Sequence, residues 1–416
     1  MQETSRYAVG IDIGTTTVRC VVGHIDTTTG TPTIVGAGSA PNTGMRKGAV
    51  ANLTGPAHAI DDALGEAERM SGHQVDAATI SINGSHILST KADGMIAVGA
   101  LDHEIIEDDL VRLEEVATVG KIPANREILE VVPHSYRLDG QDNIKDPLGM
   151  TGTRLEISAN VISALAPYVT NLQKAVEIAK VSPKVITPSV VASAHAVLSE
   201  QQLENGVAVI DLGGATTSIA VFEEGDLQFV SVIPIGGVNI TNDLAIGLKT
   251  DPEVAEKVKL AHATAQARTD TASVSVKHDK ETYEFAINEI DDIVDARLEE
   301  LFEAIHKELK KAGKAGQLPN GVVLTGGTAK LKGVVEYAKT SLGLAARIGK
   351  AKGYGGVADQ VDTPALATAV GLMLIDAEGA AAAPQKSPHH AKAANAKAAV
   401  KKTSGFLSGI FDRFKA

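Results

Sequence analysis

Apolar and polar positions along the chain fall into two series that run in the same order. In the first, apolar runs at Tyr7 to Ile13, Val18 to His24 and Pro32 to Gly38 precede an amphipathic stretch from Gly55 to Ser71 and a further apolar run at Ala78 to Ile82. In the second, runs at Gly206 to Leu212, Thr217 to Phe222 and Phe229 to Ile235 precede an amphipathic stretch from Val238 to Leu248 and a run at Gly321 to Thr325. Short apolar runs bounded by glycine and polar turns predict strands, and apolar residues at helical spacing predict helices. The repeated order predicts an α/β protein built as two duplicated halves, each a mixed sheet with helices packed on it.

Both series are interrupted. Gly84 to Ser163 holds a pattern of its own, with strands predicted at Ile87 to Val98, Ile128 to Leu138 and Arg154 to Ile162 and a helix at Ile105 to Val119, enough for a small α/β subdomain. Thr241 to Ala286 reads as a second insertion, largely helical and then polar. After Leu374 the pattern is lost. Ala377 to Lys402 is rich in alanine and lysine with Pro384 and Pro388, the composition of a flexible linker. The pattern returns at Ser404 to Ala416, where a helical projection gathers Phe406, Leu407, Ile410, Phe411 and Phe414 into an arc of roughly 140°. Such a helix is too short to be stable alone in water or to span a bilayer, and it suits the interface of a membrane.

The turns between the paired strands carry the chemistry. Ile11-Asp12-Ile13-Gly14-Thr15-Thr16-Thr17-Val18 and Ile210-Asp211-Leu212-Gly213-Gly214-Ala215-Thr216-Thr217-Ser218-Ile219 share one design: a strand, an acidic residue, a glycine turn with hydroxyls and a second strand. Glycines let backbone amides close on an anion, and threonine hydroxyls add donors. Two copies half a chain apart suggest halves that grip one polyphosphate between them. A third turn, Thr325-Gly326-Gly327-Thr328, leads from a strand into a helix and offers bare backbone for a purine and ribose.

Composition narrows the partners. The chain of 416 residues has a formal charge of −12, yet seven cations stand against Asp412 alone from Ala380 onward, so the body is the acidic part and the tail the basic one. That balance argues against nucleic acid and suits an anionic membrane surface for the tail, with Lys401 and Lys402 beside the aromatic helix. Cys20 is the single cysteine, which excludes an internal disulfide and points to a reducing cytoplasm. Met1 to Arg6 lacks the basic and apolar regions of a secretion signal, and no apolar stretch is long enough to span a bilayer. A cytoplasmic protein, peripheral on the inner face of the plasma membrane, is the expectation.

The three glycine turns together resemble the phosphate-one, phosphate-two and adenosine motifs of the actin-type ATPases. Within that superfamily Arg126 to Pro133, Ile144 to Leu155, Gly44 to Gly48 and the helix Pro188 to Leu198 resemble the FtsA family of bacterial cell-division proteins. The resemblance implies ATP and Mg²⁺ as ligands, with Asp12 and Asp211 holding Mg²⁺ through water. It places Gly14, Thr15, Thr16, Thr17, Gly213, Gly214, Ala215, Thr216, Thr217, Gly326, Gly327 and Thr328 against the nucleotide. Glu256 and Lys259, three apart on one helical face, would meet the ribose and purine. It also implies subdomains 1A (1–83 and 164–205), 1C (84–163), 2A (206–240 and 287–376) and 2B (241–286), then a linker (377–403) and the membrane helix (404–416).

Further implications concern partners and turnover. The family polymerises, tethers the FtsZ ring through the C-terminal peptide of FtsZ, and recruits other division proteins through 1C; Arg297 would meet that acidic peptide. Thr17 stands where the family often has a lysine, with Arg19 two residues on, while Ala215 and Ser218 replace a usual glycine and aspartate. His195, where actins keep a water-orienting glutamine, is the candidate for catalysis. At most a weak ATPase is expected. A pilus-assembly adaptor and a sugar kinase of the same superfamily remain the alternatives.

Overall fold

The computed structural model describes residues 6–26, 30–99, 103–266, 268, 272–356 and 361–382, the last three without side-chain detail. Two sheets form the body. The first half has the order Ser182–Pro188, Ala77–Ile82, Arg6–Ile13, Thr17–Ile25, Pro32–Pro41 and Gly355–Gly356. The second has the order Asp226–Ile233, Thr217–Glu223, Val207–Leu212, Val322–Thr325 and Ala346–Ile348. In each, the opening strand pairs antiparallel with the next and parallel with a later one.

The duplication holds residue by residue at the turns. Asp12 lies opposite Arg19 in one hairpin and Asp211 lies opposite Ser218 in the other, with the same number of residues between them. Gly14 N–H donates to Thr17 O at 3.2 Å, and Gly213 N–H to Thr216 O at 2.9 Å, so both turns close on the same bond.

Helices cover the sheets as their spacing predicts. Thr54–Ser71 turns Ala59, Ile60, Ala63, Leu64 and Ala67 inward. Ile287–Lys311 buries Ile290, Val294, Leu298, Leu301, Phe302 and Ile305 against the second sheet, a stripe at i, i+3 and i+4. Ser189–Val197 buries almost every side chain, because it lies in the core that joins the two halves.

The insertion forms a four-stranded sheet in the order Leu88–Ala97, Arg154–Leu165, Arg126–Leu138 and Gln141–Ile144, packed on the helix Glu107–Thr118 around its own core of Leu113, Leu155 and Ile157. The second insertion holds the helix Pro252–His262 and, where only a polar stretch was expected, a hairpin of Ser273–His278 and Glu281–Ala286.

The end of the described chain does not stay with the second half, as the assignment of 287–376 to it expected. Gly355–Gly356 adds to the edge of the first sheet, and the helix Ala367–Ala382 packs on the strand Arg6–Ile13 with Val370, Leu372, Met373 and Ile375 in the first core. A Cβ on Gly10 would strike Ala369 O and Met373 N, so the glycine sets the close approach. The buried carboxylate of Asp376 fixes it further: Val9 N–H and Lys184 Nζ each donate at 2.8 Å, and Thr79 Oγ1 at 3.1 Å. The helix is apolar on nearly all sides, which reports burial without saying against which half. It also runs past Ala377, where the linker was expected to begin. Residues 383–403 and the expected membrane helix at 404–416 lie outside the described residues.

Candidate functional site

A cavity of about 750 Å³ opens between the halves, and the three glycine turns line it. That volume is ordinary for a cofactor. Gly14, Thr15, Thr16 and Thr17 approach from the first half, Gly213, Gly214 and Thr216 from the second, and Gly326, Gly327 and Thr328 from the turn after Val322–Thr325. The hairpins nearly touch, since a Cβ on Gly214 would lie 2.5 Å from Thr16 Oγ1. Gly326, at φ +87°, holds backbone against the Asp211 carboxylate where a side chain would collide.

Asp12 and Asp211 sit at the floor. Ser81 Oγ donates to Asp12 Oδ1 at 2.9 Å, and Arg19 Nη1 stands 4.0 Å from Asp12 Oδ2. Burial lifts the Asp12 carboxyl above the usual carboxylate range, opposed by Arg19 and the Ser81 hydroxyl. Burial and then the charge of Asp12 push Asp211 up to about 7, against Arg19 and a bond from Thr368. A buried acid and a half-buried one, with Arg19 nearby, leave negative charge that a hard cation would neutralise. The donor set therefore fits Mg²⁺.

Glu256 and Lys259 reach the other end of the cavity from Pro252–His262. Lys259 Nζ donates to Glu256 Oε2 at 2.6 Å, to Thr241 Oγ1 at 2.8 Å and to Gly237 O at 3.2 Å. The pair is fixed to Gly237–Gly247 before any ligand arrives, and the hydrocarbon of Leu260, Ala263 and Leu331 lines the wall around it.

Three expectations need correction. Thr217 occupies the register position of Val18, is fully buried and gives its hydroxyl to Ile235 O at 2.9 Å, so it does not reach the cavity; Ala215 does not line it either. His195 faces away, near the far end of its helix. Its side chain is 3% exposed and its Nε2 lies 3.1 Å from Glu378 Oε1, tying Ser189–Val197 to the last helix. Arg297 is not an open fork: both its Nε and Nη2 donate to Asp243 and its Nη1 to Glu300.

Asn83, Gly237, Thr368 and the lysines Lys330 and Lys332 also line the cavity, though none was among the expected site residues, and Arg19 lines it too. Asn83 had a signal in the duplication, because Ile80 pairs with Ile11 as Leu324 pairs with Ile210, and three residues on Asn83 matches Gly327.

The family model described as "Cell division protein FtsA" matches residues 208–371, and that described as "SHS2 domain inserted in FTSA" matches residues 84–163. The cell division protein FtsA of Pseudomonas aeruginosa is 35% identical over 376 residues, 89% of this chain and 89% of its own length. That of Bacillus subtilis is 36% identical over 369 residues, 88% of this chain and 82% of its own.

The chain belongs to the FtsA family of cell-division proteins.

Solved structures outside FtsA share its actin-like fold. A chain of the PilM–PilN type IV pilus biogenesis complex superposes with a TM-score of 0.65 at 18% identity, covering 89% of this chain and 98% of that one. MreB5 of Spiroplasma citri bound to ADP gives 0.54 at 13% identity, covering 90% and 97%. The four-stranded insertion is thus the SHS2 element of FtsA, carried on an actin-like scaffold.

Proposed function

We propose that this FtsA-family protein binds ATP with Mg²⁺ in the cleft, polymerises on the cytoplasmic membrane and anchors the FtsZ ring there. The observation that carries the first step is the cleft itself, with two matching glycine hairpins and the aspartates Asp12 and Asp211 facing one cavity. Backbone amides and hydroxyls of Gly14 to Thr17 and Gly213, Gly214 and Thr216 suit a polyphosphate, with Arg19 as the nearby cation. Asp12 and Asp211 would hold Mg²⁺ through water, and the ion would offset the charge that those carboxylates and the phosphates bring together. Gly326, Gly327, Thr328, Glu256 and Lys259 suit the nucleoside.

His195 has no place in this proposal, since it is turned from the cleft. Nucleotide would then be an assembly ligand, with slow turnover at most.

Membrane attachment rests on the sequence of 404–416. No helix among the described residues is long and apolar enough to cross a membrane. One short amphipathic helix binds reversibly, and a polymer carrying many holds by avidity. Self-association, the FtsZ peptide at the 2B side and division proteins at the insertion come from the family. Family membership disfavours the pilus adaptor and the sugar kinase. Electron microscopy of the protein on anionic lipid monolayers tests the whole: ATP with Mg²⁺ should yield membrane-bound filaments, and bare monolayers would contradict it.

A further inference from the structure

Asn83 follows the strand Ala77–Ile82 in the first half, directly before the insertion, and its carboxamide crosses the cleft to the second hairpin. Asn83 Oδ1 accepts from Gly84 N–H at 2.7 Å and from Ser218 Oγ at 3.0 Å. A backbone N–H can only donate, so the oxygen of the carboxamide faces Gly84 and its nitrogen faces the other way. Asn83 Nδ2 donates to Thr216 Oγ1 at 3.1 Å.

The consequence lies in the Thr216 hydroxyl. It owns one proton, and with a lone pair already taken by Asn83 that proton has to point elsewhere. Thr216 is 3% exposed and lines the cavity beside Gly213 and Gly214. We propose that Asn83 is a positioning residue, which holds the Thr216 hydroxyl as a donor aimed at a phosphate of the bound nucleotide. This rests on the nucleotide reading above and adds a residue from the opposite half to the phosphate site.

The arrangement also accounts for Ser218. A carboxylate there, as the family resemblance leads one to expect, would face Asn83 Oδ1, acceptor against acceptor. A serine supplies the hydroxyl donor that this oxygen needs, so Asn83 and Ser218 form a matched pair. In the duplicated half the matching place is Gly327, which has no side chain to reach across.

An aspartate at 83 would keep the shape and reverse the sense. It would draw the Thr216 proton toward itself and add a third acid beside Asp12 and Asp211. Titration calorimetry of the full chain with Mg-ATP and, separately, with adenosine reads both effects. N83D should weaken ATP at least tenfold and adenosine by no more than twofold. N83A and T216V should each weaken ATP several-fold, and the N83A/T216V double variant should be no weaker than the poorer single one. Equal loss of ATP and adenosine in N83D, or losses that multiply in the double variant, would overturn the assignment. The N83A and T216V cycle decides alone if N83D does not fold. Wild-type protein that takes neither ligand would contradict the nucleotide reading itself, and this one with it.

Discussion

Asp211 faces Asp12 across the floor of the cleft, and the negative charge of Asp12 adds to burial in holding the Asp211 carboxyl up at about 7. The two halves of the molecule thus meet at a like-charge contact, with Arg19 the nearby cation among the described residues that line the cavity floor.

That contact makes the ligand-free protein sensitive to pH. The folded state holds a proton on Asp211 up to about 7, while the unfolded chain releases it near 3.8. Folding therefore binds protons in that interval, and stability falls as pH rises through it. D211N removes the cost. At pH 8 without nucleotide the variant should be more stable than wild type, by up to about 4 kcal/mol at roughly 1.4 kcal/mol per unit. Thermal melts at pH 5 and pH 8 check this: the gain should appear at pH 8 and shrink at pH 5.

Arg297 spends its guanidinium on Asp243 and Glu300, between two helices of the second half. An acidic peptide of FtsZ could reach it only by displacing a carboxylate. D243N should then raise affinity for that peptide several-fold, while R297A should lower it about tenfold, the loss of a charge-assisted pair. Fluorescence anisotropy with a labelled FtsZ C-terminal peptide reads both. Unchanged binding in the two variants would move the peptide site elsewhere.

At the tail, F406D/F411D would place two charges on the apolar arc expected from the sequence. Insertion of such a helix depends on its aromatic face, so co-sedimentation with anionic liposomes should fall at least tenfold while the protein stays folded. Retained sedimentation would mean that the body, and not the tail, meets the lipid.

The duplicated halves were legible because a strand, a glycine turn and a strand leave a local imprint that needs no distant partner. Gly14, Thr16 and Gly213 stand in such turns and line the cavity. Thr217 misled because a threonine in a glycine turn reads as a phosphate donor, although its register, equivalent to that of Val18 in the first hairpin, sends it into the core. The place of Ala367–Ala382 was hidden for another reason: an all-apolar helix is compatible with either core, and only the bare surface of Gly10 and the Asp376 bonds select the first. His195 was placed by analogy along the chain, and its partner Glu378 is supplied by that same returning helix. Asn83 bonds across the cleft, so the register of the duplicated halves points to it and its sequence neighbours do not.

The most direct test of the account is a calorimetric titration of Mg-ATP into wild-type protein and into D12N and D211N. The account predicts one site per chain in wild type, Mg²⁺-dependent, with affinity lost at least tenfold in either variant. No binding in wild type, or equal binding in all three, would contradict it.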